Sequence, residues 1–172
     1  FRRNAGNSDV IDLDTYGTLE LASGFASGTK TLNVNLNGKT VLVTGAAGFI
    51  GASVVKKIAD VFSGVTVIGL DNLNDYYDVS IKEYRLSEIE KIASEKQDSK
   101  WIFLKGNIAD KILIEDLFKT YHFDVVVNLA AQAGVRYSIT NPDVYMESNI
   151  IGFYNILEAC RHFPVEHLVY AS

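Results

Sequence analysis

From Lys39 onward, short apolar runs alternate with longer amphipathic stretches along the chain. Strands are predicted at 40–44, 65–70, 101–105, 124–129 and 167–170, where β-branched and apolar residues run almost without a break. Helices are predicted between them. Phe49, Ile50, Val54, Val55, Ile58 and Phe62 recur at helical spacing over 49–62, and Ile81, Tyr84, Leu86, Ile89 and Ile92 form the inner side of a helix at about 80–96. Ile112, Leu113, Leu117 and Phe118 mark a third helix, and a long one is predicted at 143–161. Residues 1–38 differ. They are rich in Gly, Ser, Thr and Asn, with apolar–polar alternation only at 18–21 and 31–36, which predicts half-exposed strands paired as a hairpin. This segment is either an atypical N-terminal extension or an upstream remnant, and no chemistry is assigned to it.

Strand and helix in strict alternation predict an α/β fold, a Rossmann-like doubly wound parallel sheet in three α/β/α layers. The expected order of its five strands is 3-2-1-4-5. The first strand breaks into Thr44-Gly45-Ala46-Ala47-Gly48-Phe49-Ile50-Gly51. Gly45 suits a tight turn, Gly48 a close backbone approach to pyrophosphate, and Gly51 close packing of helix on strand. Alone, three glycines also fit an ordinary strand–helix turn. The second strand, however, ends in Asp71, about 20 residues on, where a dinucleotide site places an acid for the adenosine ribose hydroxyls. Asp71-Asn72, with no neighbouring Arg or Lys, predicts NAD over NADP, because a 2′-phosphate would meet a carboxylate and no cation. The later strands end in Gly106-Asn107-Ile108 and in Ala130-Ala131-Gln132-Ala133-Gly134. Small residues there allow a flat ring to lie against the backbone, or simply tight helix–loop packing.

Composition narrows the function classes. A net charge of −5 without any Lys/Arg cluster argues against a nucleic-acid surface. No apolar run is long enough to span a bilayer and no signal-peptide core is present, so no membrane partner is expected. The single cysteine, Cys160, fits a reducing, cytoplasmic location and reads as a small buried hydrophobe. His122, His162 and His167 lack metal-ligand spacing, and Asp75, Asp78, Glu83 and Glu88 read as a solvated face.

Thr-Gly-Ala-Ala-Gly-Phe-Ile-Gly at 44–51, Asp-Asn-Leu-Asn-Asp-Tyr-Tyr-Asp at 71–78 and Leu-Ala-Ala-Gln-Ala-Gly-Val-Arg-Tyr-Ser at 129–138 resemble the extended short-chain dehydrogenase/reductase family. Within it, the second and third motifs are most similar to the UDP-glucuronate 4-epimerases. The resemblance covers about residues 39–172. It implies transient C4 oxidation of a UDP-sugar, UDP-glucuronate in particular, by tightly held NAD, and a homodimeric parent protein; the alternatives are a sugar-nucleotide 4,6-dehydratase or decarboxylase half, or a non-catalytic dinucleotide-binding module. By the match, Gly45, Gly48, Phe49, Ile50 and Gly51 hold the pyrophosphate, and Asp71, Asn72 and Asn74 the adenosine. Asn107 and Ile108 flank the adenine, Ala130, Ala131 and Gln132 the nicotinamide side, and Asn149 reaches the cofactor from the long helix. Arg136 and Tyr137 face the sugar nucleotide. Asn107 departs from the family's aspartate. No Tyr-x-x-x-Lys occurs in the chain, so no catalytic residue is assigned, and residues 39–172 are expected to be a cofactor domain cut before the catalytic and substrate-binding parts. Leu168-Val169-Tyr170 on the last strand is expected to leave an exposed edge that promotes association.

Overall fold

A computed structural model describes residues 18–21 and 30–171. The chain divides into two compact units between Asn35 and Leu36. In the first, β1 (Thr18–Leu21) pairs antiparallel with β2 (Lys30–Asn33), Thr18 opposite Asn33 and Leu21 opposite Lys30. The second strand stops short of the predicted Leu36, whose side chain is buried in the core of the second unit. The rest of the predicted N-terminal extension, residues 1–17 and 22–29, lies outside the described residues.

The second unit runs β3 (Thr40–Thr44), α1 (Phe49–Val61), β4 (Thr66–Asp71), α2 (Val79–Ser94), β5 (Lys100–Lys105), α3 (Lys111–Tyr121) and β6 (Val125–Asn128). It continues through α4 (Val135–Thr140), α5 (Asp143–Tyr145), a π-helical segment Met146–Gly152, α6 (Phe153–His162) and β7 (His167–Tyr170). All five strands pair in parallel in the order β5-β4-β3-β6-β7, the predicted 3-2-1-4-5. Alternate side chains enter opposite faces. Val41 and Val43 pack with Val55 and Ile58 of α1 and Ile89 of α2, whereas Leu42 packs with Ile114 and Phe118 of α3 and Ile156 of α6. Both faces of the sheet are thus covered, as parallel strands require.

Several helical faces differ from their prediction because the buried side of the helix is turned from the predicted one. Phe49 and Ile50 are 75% and 60% exposed, and α1 buries Gly51, Ala52 and Ala59 beside the predicted Val55 and Ile58. Ile81 and Tyr84 are likewise exposed, and the buried residues of α2 are Lys82 and Ile89. The long predicted helix is interrupted by the π segment, and α4, which has no buried residue, lies in a stretch for which no element was predicted.

Candidate functional site

The carboxyl ends of the strands and the first turn of α1 surround a cleft of about 490 Å³, within the range of about 300–1,000 Å³ usual for ligand sites. It lies at the carboxyl ends of the paired strands β3 and β6, between which the strand order reverses, the switch point of the sheet. The glycine turn is built by contact. Gly45 has φ +67, and a Cβ there would lie 2.9 Å from the Ala130 nitrogen. A Cβ on Gly51 would fall 2.0 Å from the Gly45 carbonyl oxygen, so only glycine lets α1 seat this close to the turn. Gly48 caps α1 in extended conformation, and among the described residues no side chain accepts from the first-turn N–H groups. Those groups and the helix dipole make this end of α1 receptive to an anion.

Thr44 ties the turn to the neighbouring strand. Its fully buried hydroxyl donates to Asn128 Oδ1 at 2.6 Å and accepts from the Leu129 and Ala130 N–H groups at 3.1 Å each. The backbone of Ala130, Ala131 and Gln132 is thereby pinned along one wall of the cleft. Asn149 fixes the next peptide: its Oδ1 accepts from the Gln132 N–H at 2.8 Å, and its Nδ2 donates to the Gln132 carbonyl at 2.9 Å.

The opposite wall is polar and charged. Asp71 is 7% exposed, with Oδ2 accepting from the Ala47 N–H at 3.1 Å and Oδ1 from the Leu73 N–H at 2.8 Å. The Lys82 ammonium lies 3.4 Å from Asp71 Oδ1, donates to Asn74 Oδ1 at 2.8 Å, and sits 5.1 Å from the Tyr77 ring centroid. Arg85 donates to the Ala47 carbonyl at 3.3 Å and to the Tyr77 hydroxyl at 3.0 Å. The prediction that no cation stands near the acid is therefore corrected: sequence neighbours of Asp71 carry none, but α2 brings Lys82 and Arg85 into the cleft lining. Their spacing on one face of the helix that follows the acid is the signal that could have revealed them.

Of the residues singled out by sequence, Gly45, Gly48, Phe49, Ile50, Gly51, Asp71, Asn72, Asn74, Asn107, Ile108, Ala130, Ala131 and Gln132 all line this cleft. Asn149 does not line it and acts on Gln132. Arg136 and Tyr137 lie on α4 outside the lining; Arg136 is exposed and has no ion pair among the described residues, and Tyr137 packs between Tyr76 and Tyr145, with ring centroids 5.2 and 6.3 Å away. Asn107 accepts from the Ala109 N–H at 3.0 Å and donates to Glu147 Oε1 at 2.8 Å, a pairing that the family's aspartate would replace with repulsion. Sequence reasoning missed Thr44, Tyr76, Tyr77, Lys82, Arg85, Ser148 and Ala171 as parts of the site. Among the described residues no His/Cys/Asp/Glu cluster could hold a metal, and no helix is long and apolar enough to cross a membrane. Burial pushes the Cys160 thiol up to about 11, which keeps it protonated and unreactive at neutral pH.

Comparison with known proteins agrees with this geometry. The family described as GDP-mannose 4,6 dehydratase matches residues 42–172. The chain is 48% identical over 132 residues to Protein CapI of Staphylococcus aureus, covering 77% of this chain and 37% of that protein. It is 43% identical over 160 residues to UDP-glucuronate 4-epimerase 4 of Arabidopsis thaliana, covering 92% of this chain and 35% of that protein. A UDP-glucose-4-epimerase from Stenotrophomonas maltophila, crystallised with bound NAD and formylated UDP-arabinopyranose, superposes with TM-score 0.64 at 29% identity, covering 78% of this chain and 37% of that one. The chain spans little more than a third of the length of these relatives. With the family match extending over most of its residues, the chain belongs to the GDP-mannose 4,6 dehydratase family of NAD-dependent epimerases and dehydratases.

Proposed function

We propose that this chain is the NAD-holding part of a nucleotide-sugar 4-epimerase that interconverts UDP-glucuronate and UDP-galacturonate. The observation that carries the reading is the convergence of an uncapped α1 N-terminus, the buried Asp71 and the pinned Ala130–Gln132 backbone on one cleft. The donor and acceptor types fit a dinucleotide: N–H groups for pyrophosphate, a carboxylate for ribose, and small apolar residues for flat rings. In this reading Gly48, Phe49, Ile50 and Gly51 meet the pyrophosphate, Asp71, Asn72 and Asn74 the adenosine ribose, and Asn107 and Ile108 the adenine. Ala130, Ala131 and Gln132 take the nicotinamide side, with Asn149 positioning Gln132. When bound, NAD supplies a hydride acceptor and donor for the sugar carbon C4.

The guanidinium of Arg136, exposed on α4 beyond the Gly134 turn and without an ion pair among the described residues, is placed to meet an anionic group of the sugar nucleotide. UDP-glucuronate is preferred as substrate because relatives of this chain carry the name UDP-glucuronate 4-epimerase. Since the chain has no Tyr-x-x-x-Lys, it is proposed to hold the cofactor without turning over sugar on its own.

The test is twofold. Calorimetry with NAD on the chain reads the cofactor reading directly, and a full-length parent protein incubated with UDP-glucuronate, followed by NMR of the sugar, reads the substrate. UDP-galacturonate as product supports the proposal. A parent that leaves UDP-glucuronate unchanged, and instead forms a 4-keto-6-deoxy product from a nucleotide-hexose that carries a 6-hydroxyl, would belong with the dehydratases, the reading that the family's name favours.

A further inference from the structure

The ribose wall of the cleft contains a buried cation that the reading above leaves without a task. Lys82 is 4% exposed, yet it lines the cleft. Stability does not by itself call for it, because a buried ion pair is often matched or bettered by apolar side chains of similar volume.

Counting lone pairs shows what Lys82 adds. Each carboxylate oxygen offers about two acceptor sites. Asp71 Oδ1 already receives the Leu73 N–H at 2.8 Å and the Lys82 ammonium at 3.4 Å, and Oδ2 receives the Ala47 N–H at 3.1 Å. One acceptor site remains, on Oδ2. A ribose diol offers two hydroxyls, so Asp71 alone cannot accept from both. The Lys82 ammonium has three protons. Two are directed at Asp71 Oδ1 and Asn74 Oδ1, and among the described residues no other hydrogen-bond acceptor takes the third. The Tyr77 ring, with its centroid 5.1 Å from Nζ, holds the ammonium from another side.

We propose that Lys82 is a cofactor-binding residue that reads the adenosine ribose jointly with Asp71, one as donor and the other as acceptor, and that its charge is a latent site for a 2′-phosphate held in check by the Asp71 carboxylate. This rests on the dinucleotide reading of the cleft. In NAD the ribose gives one hydroxyl to Asp71 and accepts from Lys82. In NADP the phosphate meets Lys82 but is repelled by Asp71, so the preference for NAD is set by the balance of the two charges rather than by the absence of a cation.

Calorimetric titration of the chain with NAD and NADP tests this, with circular dichroism confirming that each variant folds. The wild type is expected to bind NAD more tightly. Lys82→Met is expected to weaken NAD by about tenfold to a hundredfold, the loss of one charge-assisted hydrogen bond, and to weaken NADP further. Asp71→Asn is expected to shift the NADP/NAD affinity ratio at least about tenfold toward NADP, and Asp71→Asn/Lys82→Met to abolish that shift. A folded Lys82→Met with unchanged NAD affinity and unchanged ratio overturns the proposal. So does a ratio that is the same in Asp71→Asn and in the double variant, a comparison that stands even where Lys82→Met alone fails to fold. A folded wild type that binds neither dinucleotide removes the reading of the cleft itself, and is thereby distinguishable from failure of the Lys82 assignment.

Discussion

Replacing Gly51 with alanine puts the packing of α1 on the glycine turn to a direct test. The new Cβ would lie 2.0 Å from the Gly45 carbonyl oxygen, 2.8 Å from its carbon and 3.1 Å from Ala46 Cα. None of these neighbours is the end of a flexible side chain. The turn is itself held by the Gly48 N–H on the Gly45 carbonyl at 2.9 Å and by the Ala46 N–H on the Leu70 carbonyl at 3.3 Å. To restore ordinary contact at about 3.5 Å, helix or turn must move by more than about 1 Å. Overpacking of this kind costs about 1–3 kcal/mol and occasionally more, and a rigid backbone obstacle favours the upper end. Alanine in a helix returns about 1 kcal/mol. The net loss of about 2 kcal/mol corresponds to a fall in Tm of roughly 4–8 °C for a chain of this size. Gly38→Ala is the control: its φ is +70 but no atom lies within 4 Å of the added Cβ, so it carries only the left-handed backbone cost of about 1–2 kcal/mol. Thermal melts followed by circular dichroism, with NAD titration on the same samples, make the comparison. Gly38→Ala should keep NAD binding and Gly51→Ala should lose most of it. A Gly51→Ala chain that melts at or above the wild-type temperature would refute the contact argument.

Thr44→Val keeps the side-chain shape but removes the hydroxyl that serves Asn128, Leu129 and Ala130. It should cost about 1–3 kcal/mol in urea denaturation, with Thr44→Ser restoring most of the loss. Asn149→Asp keeps the acceptor for the Gln132 N–H but cannot donate to the Gln132 carbonyl, so it should lower stability by about 1–2 kcal/mol and weaken NAD binding several-fold by titration. The Cys160 thiol is raised by burial from 9.0 to about 11, so the neutral form is favoured in the folded state. Its stabilising contribution is fully present below pH 9 and is lost as pH rises from there toward about 11. Alkylation at pH 8 should accordingly be much slower in the folded chain than in the urea-unfolded one, and equal rates would contradict the assignment.

The sheet was readable because its strands are apolar on both faces. Val41, Leu42 and Val43 serve opposite layers, and such a run has few other places in a fold. Strand order followed from right-handed crossovers and short connections. The buried sides of α1 and α2 were misread because small and amphipathic residues supply part of them. Gly51, Ala52 and Ala59 on α1 and Lys82 on α2 are buried, whereas the larger apolar Phe49, Ile81 and Tyr84 are exposed. Lys82 was missed although its spacing to Arg85 marks a shared helix face, because the contacts of that face with Asp71 and Asn74 appear only in the fold. The α4 helix escaped notice because it buries nothing, so no apolar period marks it. The glycine turn, by contrast, was legible because its constraints are steric and local, as the Gly51 contact with Gly45 shows.

The central claim is that the carboxyl-end cleft of this chain holds NAD. Isothermal titration of NAD into the folded chain, beside Asp71→Asn at matched concentration, tests it most directly. Saturable binding at one site per chain, weakened about tenfold or more by Asp71→Asn, is the predicted result. A folded chain that takes up no NAD, or one whose affinity is indifferent to Asp71, would contradict it.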